Sequence, residues 1–186
     1  VFPDVGPFFK MLQDRAAGRP LDRHWPWNRT VVGVITNSDD RIPSILESFG
    51  LKVGPRRVGS ADQRGKQATL EDDVSFVVLS YDVGFEKPDR RMFDSAVGML
   101  QETLAGNQEG LTADDFEKLY VGDEVEKDCV GAEAAGWSAM LLDREGSHTR
   151  GSNALTYVDV KDKAGTQRKV LAANDLSALS GWQPSR

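Results

Sequence analysis

Leu119-Tyr120-Val121-Gly122-Asp123-Glu124-Val125-Glu126-Lys127-Asp128-Cys129-Val130-Gly131-Ala132 carries the strongest pattern in the chain. An apolar run ends in Gly122-Asp123, and a second acid, Asp128, follows as a helical pattern begins. Val125, Cys129 and Ala132 fall at i, i+4 and i+7, one face of a helix. Glu126, Lys127 and Glu133 take the other side. Gly136 stands where a helix C-cap glycine belongs, and Ser138 to Leu142 reads as the next strand. Asp123 is therefore expected at the carboxyl end of a buried strand, and Asp128 on the first turn of the helix after it. Ligands of open α/β sheets bind at that edge. Two carboxylates held there repel each other unless a cation or a proton is shared, and hard oxygen ligands suit Mg²⁺. By itself the stretch is equally compatible with a loop acid followed by a helix-terminal acid favoured by the dipole.

Two other strand ends add to it. Val31 to Ile35 is a short β-branched run, as expected of a parallel strand buried on both faces. It ends in Thr36-Asn37-Ser38-Asp39-Asp40-Arg41, ahead of a helix from Ile42 to Phe49 closed by Gly50. Ser and Asp there are ordinary caps, and a helix N-terminus also offers free N–H groups to an anion. Phe76 to Leu79 is a further buried strand, followed by Gly84-Phe85-Glu86-Lys87-Pro88-Asp89. Pro88 suits the first position of a helix and holds Lys87 extended. Met92, Phe93, Ala96 and Leu100 mark that helix's buried face. A hydroxyl and amide (Thr36, Asn37), a cation (Lys87) and an acid pair (Asp123, Asp128) thus converge on one edge. That set suits a phosphoryl group beside a metal.

Composition narrows the class. The chain has 186 residues, 39% hydrophobic and 28% charged, enough for one globular α/β domain. Strands alternating with helices argue a Rossmann-like parallel sheet with helices on both faces. The net charge of −6 disfavours a nucleic-acid partner. One cysteine excludes an internal disulfide and fits a reducing compartment, so the expected location is cytoplasmic. No apolar run is long enough to span a membrane. A helix is expected between Val1 and Gly18, with His24-Trp25-Pro26-Trp27 covering a core edge. Residues 55–73 and 144–168 are expected as surface insertions, the second enclosing a hairpin turn at Asp162 to Gly165.

In these motifs the chain resembles the haloacid dehalogenase (HAD) superfamily. Val32-Gly-Val-Ile-Thr36-Asn37-Ser38 resembles its second motif, Gly84 to Asp89 with Phe93 its third, and Val121 to Asp128 its fourth. Phe2-Pro3-Asp4-Val5 resembles the return from a cap domain, and the subgroup with a helical cap, including eukaryotic HAD-like domain-containing proteins, is the nearest in pattern. The resemblance implies a Mg²⁺-dependent phosphohydrolase that acts on a small phosphorylated substrate through an aspartyl-phosphate. Thr36, Asn37 and Lys87 would bind the phosphoryl group, Lys87 and Asp123 would be catalytic, and Asp123 and Asp128 would hold Mg²⁺.

The family's nucleophile, the first Asp of an Asp-x-Asp pattern after an early strand, has no counterpart here. The resemblance therefore implies a partial core, with the nucleophile strand and cap upstream of Val1 or on a second chain. That strand would lie between Val31–Ile35 and Leu119–Val121, holding them about two strand spacings apart, roughly 10 Å. The alternative is a non-catalytic HAD-like scaffold or interaction module.

Overall fold

The computed structural model describes residues 2–21, 24–59, 72–105, 109–151 and 154–184. Among the described residues, seven strands fall into two sheets. The first holds β1 (Gly33–Thr36), β2 (Val53–Arg57) and β3 (Val74–Leu79), all parallel, in the order β1-β3-β2. The second holds β4 (Leu119–Gly122), β5 (Ser138–Leu142), β6 (Thr156–Lys161) and β7 (Gln167–Ala173) in the order β4-β5-β7-β6. Its first three strands in space are parallel, and β6 closes the far edge antiparallel to β7. β1 and β4 lie in different sheets and are not hydrogen-bonded neighbours, as the sequence led us to expect.

Two helices bind the sheets into one body. On one face, α1 (Val5–Ala16) sets Phe9 against Val74, Val77 and Leu79 of the first sheet. The same helix sets Phe8, Met11 and Leu12 against Met140 and Ala173 of the second. On the other face, α4 (Arg90–Leu104; α2 being Ile42–Ser48 and α3 Ser80–Val83) buries Met92, Phe93, Ala96, Met99 and Leu100. These residues meet Ile35, Phe76 and Val78 of the first sheet and Tyr120 and Ala139 of the second. Trp25 and Trp27 do cover a core edge: Trp25 is buried, donates its indole N–H to Thr30, and packs with Met140 and Leu179.

Several expectations need correcting. Residues 53–57 form a strand rather than the start of an insertion. Pro55 is tolerated because β2 is an edge strand. The rest of that expected insertion, residues 60–71, lies outside the described residues. The hairpin expected between Tyr157–Val160 and Lys169–Leu171 does form, as β6 and β7, and it belongs to the second sheet rather than to a surface insertion. Pro88 does not open a helix. The Lys87–Pro88 bond is cis, and Asp89 caps α4 by accepting the Arg91 N–H. The helix after Asp123 begins as a π-helical turn, Val125–Val130, and only Gly131–Ala134 (α5) is α-helical.

Candidate active site

The π turn decides where the two acids go. A widened turn is a common local distortion at functional sites, and here it tips Asp128 inward. Its Oδ2 accepts the Glu124 N–H at 3.0 Å, and its Oδ1 lies 2.6 Å from Lys87 Nζ. Asp128 and Lys87 side chains are 4% and 10% exposed, so this is a buried ion pair. A Cβ at position 122 would collide with the Asp128 carboxylate, which is why Gly122 stands at the end of β4. Asp123 has the opposite environment. It is exposed, and its carboxylate makes no hydrogen bond or ion pair among the described residues.

Lys87 is held from three directions. The Asn37 side chain clamps its backbone, Oδ1 accepting the Lys87 N–H at 2.7 Å and Nδ2 donating to the Lys87 carbonyl at 3.1 Å. The residue before a proline has no ladder to join, and one amide side chain satisfies both of its groups. Asn37 thus serves the lysine loop, and its amide is not directed at a ligand. The loop also packs against α5: a Cβ on Gly131 would stand 3.0 Å from Pro88. The ammonium itself donates to Asp128 and, at 2.6 Å, to the hydroxyl of Tyr120. An ammonium has three N–H donors, so one remains.

Tyr120 was absent from the expected site because, within Leu119-Tyr120-Val121, it reads as an ordinary core residue of a strand. Its ring packs edge-on against Phe93, centroids 5.4 Å apart, and its hydroxyl donates to the Ile35 carbonyl at 2.9 Å. Burial, then the nearby Asp128 carboxylate, push the phenol's pKa well above its ordinary value. Burial likewise pushes the Cys129 thiol up to about 12, so it behaves as a core residue. Thr36, next to Ile35, ends β1 with a hydroxyl that makes no hydrogen bond among the described residues. Beyond it lies a shallow cavity of about 440 Å³ between Asn37–Asp39, Ser80–Tyr81 and Gly84–Glu86.

Hydrogen bonds therefore join Asn37, Lys87, Tyr120 and Asp128, with Thr36 and Asp123 at the ends of β1 and β4. A buried cation at the carboxyl edge, flanked by a free hydroxyl and a free carboxylate, can orient a phosphoryl group and neutralise part of its charge. As for a metal, Asp123 supplies an open hard-oxygen donor, whereas both oxygens of Asp128 are engaged. Among the described residues no three His, Cys, Asp or Glu side chains cluster as a metal site by themselves.

A family model described as HAD-hydrolase-like matches residues 84–171, which include Lys87, Tyr120, Asp123 and Asp128. Over those residues the chain is similar to HAD-hydrolase-like proteins. An uncharacterised protein of Saccharomyces cerevisiae is 27% identical over 158 residues, 84% of this chain and 43% of that protein. A Schizosaccharomyces pombe protein described as an uncharacterised hydrolase is 28% identical over 141 residues, 76% of this chain and 49% of that one. The chain thus spans about half the length of the curated relatives it matches. Among solved structures, a HAD phosphatase from Thermococcus onnurineus aligns with a TM-score of 0.53 at 20% identity, over 97% of this chain and 57% of that one. A Bacillus subtilis protein described as the HAD-hydrolase YfnB, crystallised with magnesium, aligns with a TM-score of 0.54 at 14% identity, over 97% and 54%. At these identities the likeness is one of fold, parallel sheets flanked by helices. Among the described residues no helix is long and apolar enough to cross a membrane.

Proposed function

We propose that this HAD-like chain is the phosphate- and metal-binding part of a Mg²⁺-dependent phosphohydrolase of small phosphorylated substrates. The observation that carries this reading is the buried Lys87 ammonium at the strand-end edge, clamped through Asn37 and paired with Asp128, with a free Thr36 hydroxyl and a free Asp123 carboxylate at the ends of β1 and β4. A purely structural ion pair needs neither of those two free groups beside it.

In this reading Thr36 and the remaining N–H of Lys87 bind phosphoryl oxygens. Asp123 would hold Mg²⁺ directly, and Asp128, which orients Lys87, would meet the metal through water. Mg²⁺, when bound, would supply charge neutralisation to the phosphoryl group. The nucleophile is a carboxylate on a strand that enters between β1 and β4, from an upstream segment or a second chain. Its oxygen attacks phosphorus, the bond from phosphorus to the leaving oxygen breaks, and that oxygen takes a proton from solvent water. Water then attacks phosphorus, the bond from phosphorus to the carboxylate oxygen breaks, and inorganic phosphate and the free carboxylate result. Lys87 and Thr36 stabilise charge on the phosphoryl oxygens in both steps, and Asp123 would contribute by holding Mg²⁺.

The test has two arms. Residues 1–186 alone should not hydrolyse p-nitrophenyl phosphate, with or without Mg²⁺. The chain joined to its natural upstream sequence should do so, losing more than about 100-fold on Asp123→Asn, the scale of losing one essential electrostatic contact. Metal-dependent turnover by residues 1–186, or full activity of the longer Asp123→Asn protein, would overturn this assignment. The competing reading, a non-catalytic scaffold, draws on the ion pair that already neutralises Lys87. Inactivity of the longer protein toward a panel of phosphomonoesters would favour it.

A further inference from the structure

Tyr120 stands between the two sheets in a way that neither a core residue nor a phosphate ligand requires. The Val32 carbonyl accepts the Ser75 N–H at 2.8 Å, so Val32 faces β3. Backbone groups of successive strand residues point to alternate edges. Ile35 therefore turns its carbonyl to the other edge of β1, the one that faces β4. That carbonyl accepts the Tyr120 hydroxyl at 2.9 Å. The phenol oxygen of Tyr120 itself accepts from Lys87 Nζ at 2.6 Å, which leaves the phenol proton for Ile35 and fixes the direction of the relay from Lys87 through Tyr120 to Ile35. The ring is anchored separately, edge-on against Phe93 of α4. Only the hydroxyl reaches across.

We propose that Tyr120 is a latch: its hydroxyl occupies, at Ile35, the place of a neighbouring strand's N–H and through the same oxygen holds Lys87, and a strand docking between β1 and β4 displaces it and releases the ammonium to the site. This rests on the reading that the space between β1 and β4 takes a strand. A strand at that edge runs about 4.8 Å away and must bring an N–H to this carbonyl, where the phenol oxygen now stands. Docking then removes one of the two partners of Lys87 and leaves Asp128, so the lysine gains a second free donor when the nucleophile arrives. Without the strand, Lys87 is tied down and the edge of β1 is blunted by a side chain, one of the ways proteins protect unpaired edges.

Ammonium exchange of ¹⁵Nζ-labelled lysine tests the latch without any need for catalysis. In residues 1–186 Lys87 should give a slowly exchanging ammonium signal, assigned by its loss in Lys87→Arg. Tyr120→Phe, which keeps the ring on Phe93, should speed that exchange at least tenfold while the near-ultraviolet dichroism of the fold persists. It should also raise self-association in sedimentation velocity, because the Ile35 edge is uncovered. Unchanged Lys87 exchange in Tyr120→Phe would overturn the latch. In the chain joined to its upstream sequence, Tyr120→Phe should leave Lys87 exchange within twofold of the unsubstituted protein. The same dependence on Tyr120 as in residues 1–186 would overturn the displacement. A longer protein that meets both exchange expectations yet hydrolyses no phosphomonoester would sink the phosphohydrolase reading and leave the latch standing.

Discussion

Asp123 and Asp143 occupy the same place on neighbouring parallel strands: each is the first residue after its strand, β4 and β5 respectively. Their uses are opposite. Asp143 is 7% exposed and accepts the N–H groups of Ser147, His148 and Thr149 and the Thr149 hydroxyl, at 2.8–3.0 Å. The same Thr149 hydroxyl also lies within hydrogen-bond reach of the Asn174 side-chain oxygen, just after β7, so its one proton is shared between two acceptors. Asp143 is the hub of a loop, with all its accepting capacity turned inward. Asp123 has no such loop. The residues after it enter the π turn, and Asp128, not Asp123, turns back to collect the Glu124 N–H. A carboxylate at a sheet's carboxyl edge is therefore free for a ligand only when the following residues leave it uncapped, and position along the strand does not decide this.

The comparison is most sharply broken or upheld by deleting each carboxylate. Asp143→Ala leaves the N–H groups of Ser147, His148 and Thr149 without their acceptor, while the Thr149 hydroxyl keeps Asn174. Each unsatisfied buried group costs about 1–3 kcal/mol, so a loss of about 3–5 kcal/mol is expected in urea denaturation of residues 1–186. Asp123→Ala removes no intramolecular partner and should stay within about 0.5 kcal/mol. Equal losses in the two variants would mean that Asp123 is also a structural hub, and its role as an open ligand would fall.

The next effect concerns what frees Asp123, namely that Asp128 takes the inward place. That place exists because Gly122 has no side chain. Gly122→Ala drives a methyl group into the Asp128 carboxylate. Overpacking of this kind costs about 1–3 kcal/mol, and it should shift the Lys87–Asp128 pair. Gly98→Ala is the control. Gly98 lies within α4 with nothing in reach of an added Cβ, and the change should stabilise by about 0.5–1 kcal/mol through helix propensity. Parallel behaviour of the two alanine variants under thermal denaturation would show that Gly122 is not needed for the inward turn.

Much of this was legible before any coordinates. Apolar runs ending in polar clusters located β1, β3, β4 and β5, and of the residues singled out at their ends the fold pairs Lys87 with Asp128 and leaves Asp123 exposed after β4. The hairpin at Asp162 to Gly165 was legible from turn chemistry, and it forms with Asp162 accepting the Thr166 N–H at 2.8 Å and Gly165 at φ +79°. The misses have common causes. β2, with Gly54, Pro55 and two arginines in five residues, has no hydrophobic pattern, because its order comes from pairing with β3. A 3.6-residue period fitted to Val125, Cys129 and Ala132 cannot see one widened turn within it, although that turn aims Asp128. Asn37 suggested an anion ligand, and only the fold brings the Lys87 backbone to its amide. Tyr120 and Asp143 were hidden because their partners lie on other elements, Ile35 in one case and residues 147–149 in the other.

The smallest effect separates the charge of Asp143 from its shape. Burial alone would raise the pKa of Asp143. The hydrogen bonds from the Thr149, His148 and Ser147 N–H groups and the Thr149 hydroxyl outweigh it and hold the carboxyl below its ordinary value. A folded pKa below the unfolded one means that the unfolded chain takes up the proton first. The contribution of the charged Asp143 is therefore complete above the unfolded value of about 3.9 and is lost as pH falls through the lower folded value. Asp143→Asn keeps the size of the side chain and removes the charge. The stability gap between the unsubstituted chain and Asp143→Asn should be constant from about pH 5 to 7 and should narrow below about pH 4, by about 1.4 kcal/mol for each unit of depression. Asp4, held low against its burial by Arg144 and the Leu176 N–H, adds its own acid loss to both proteins and cancels from the difference. Denaturant midpoints at pH 3, 4, 5 and 7 for the two proteins measure this. A gap that stays constant down to pH 3 would mean that the loop values only the shape of Asp143, and its contrast with the open, charged Asp123 would lose its electrostatic half.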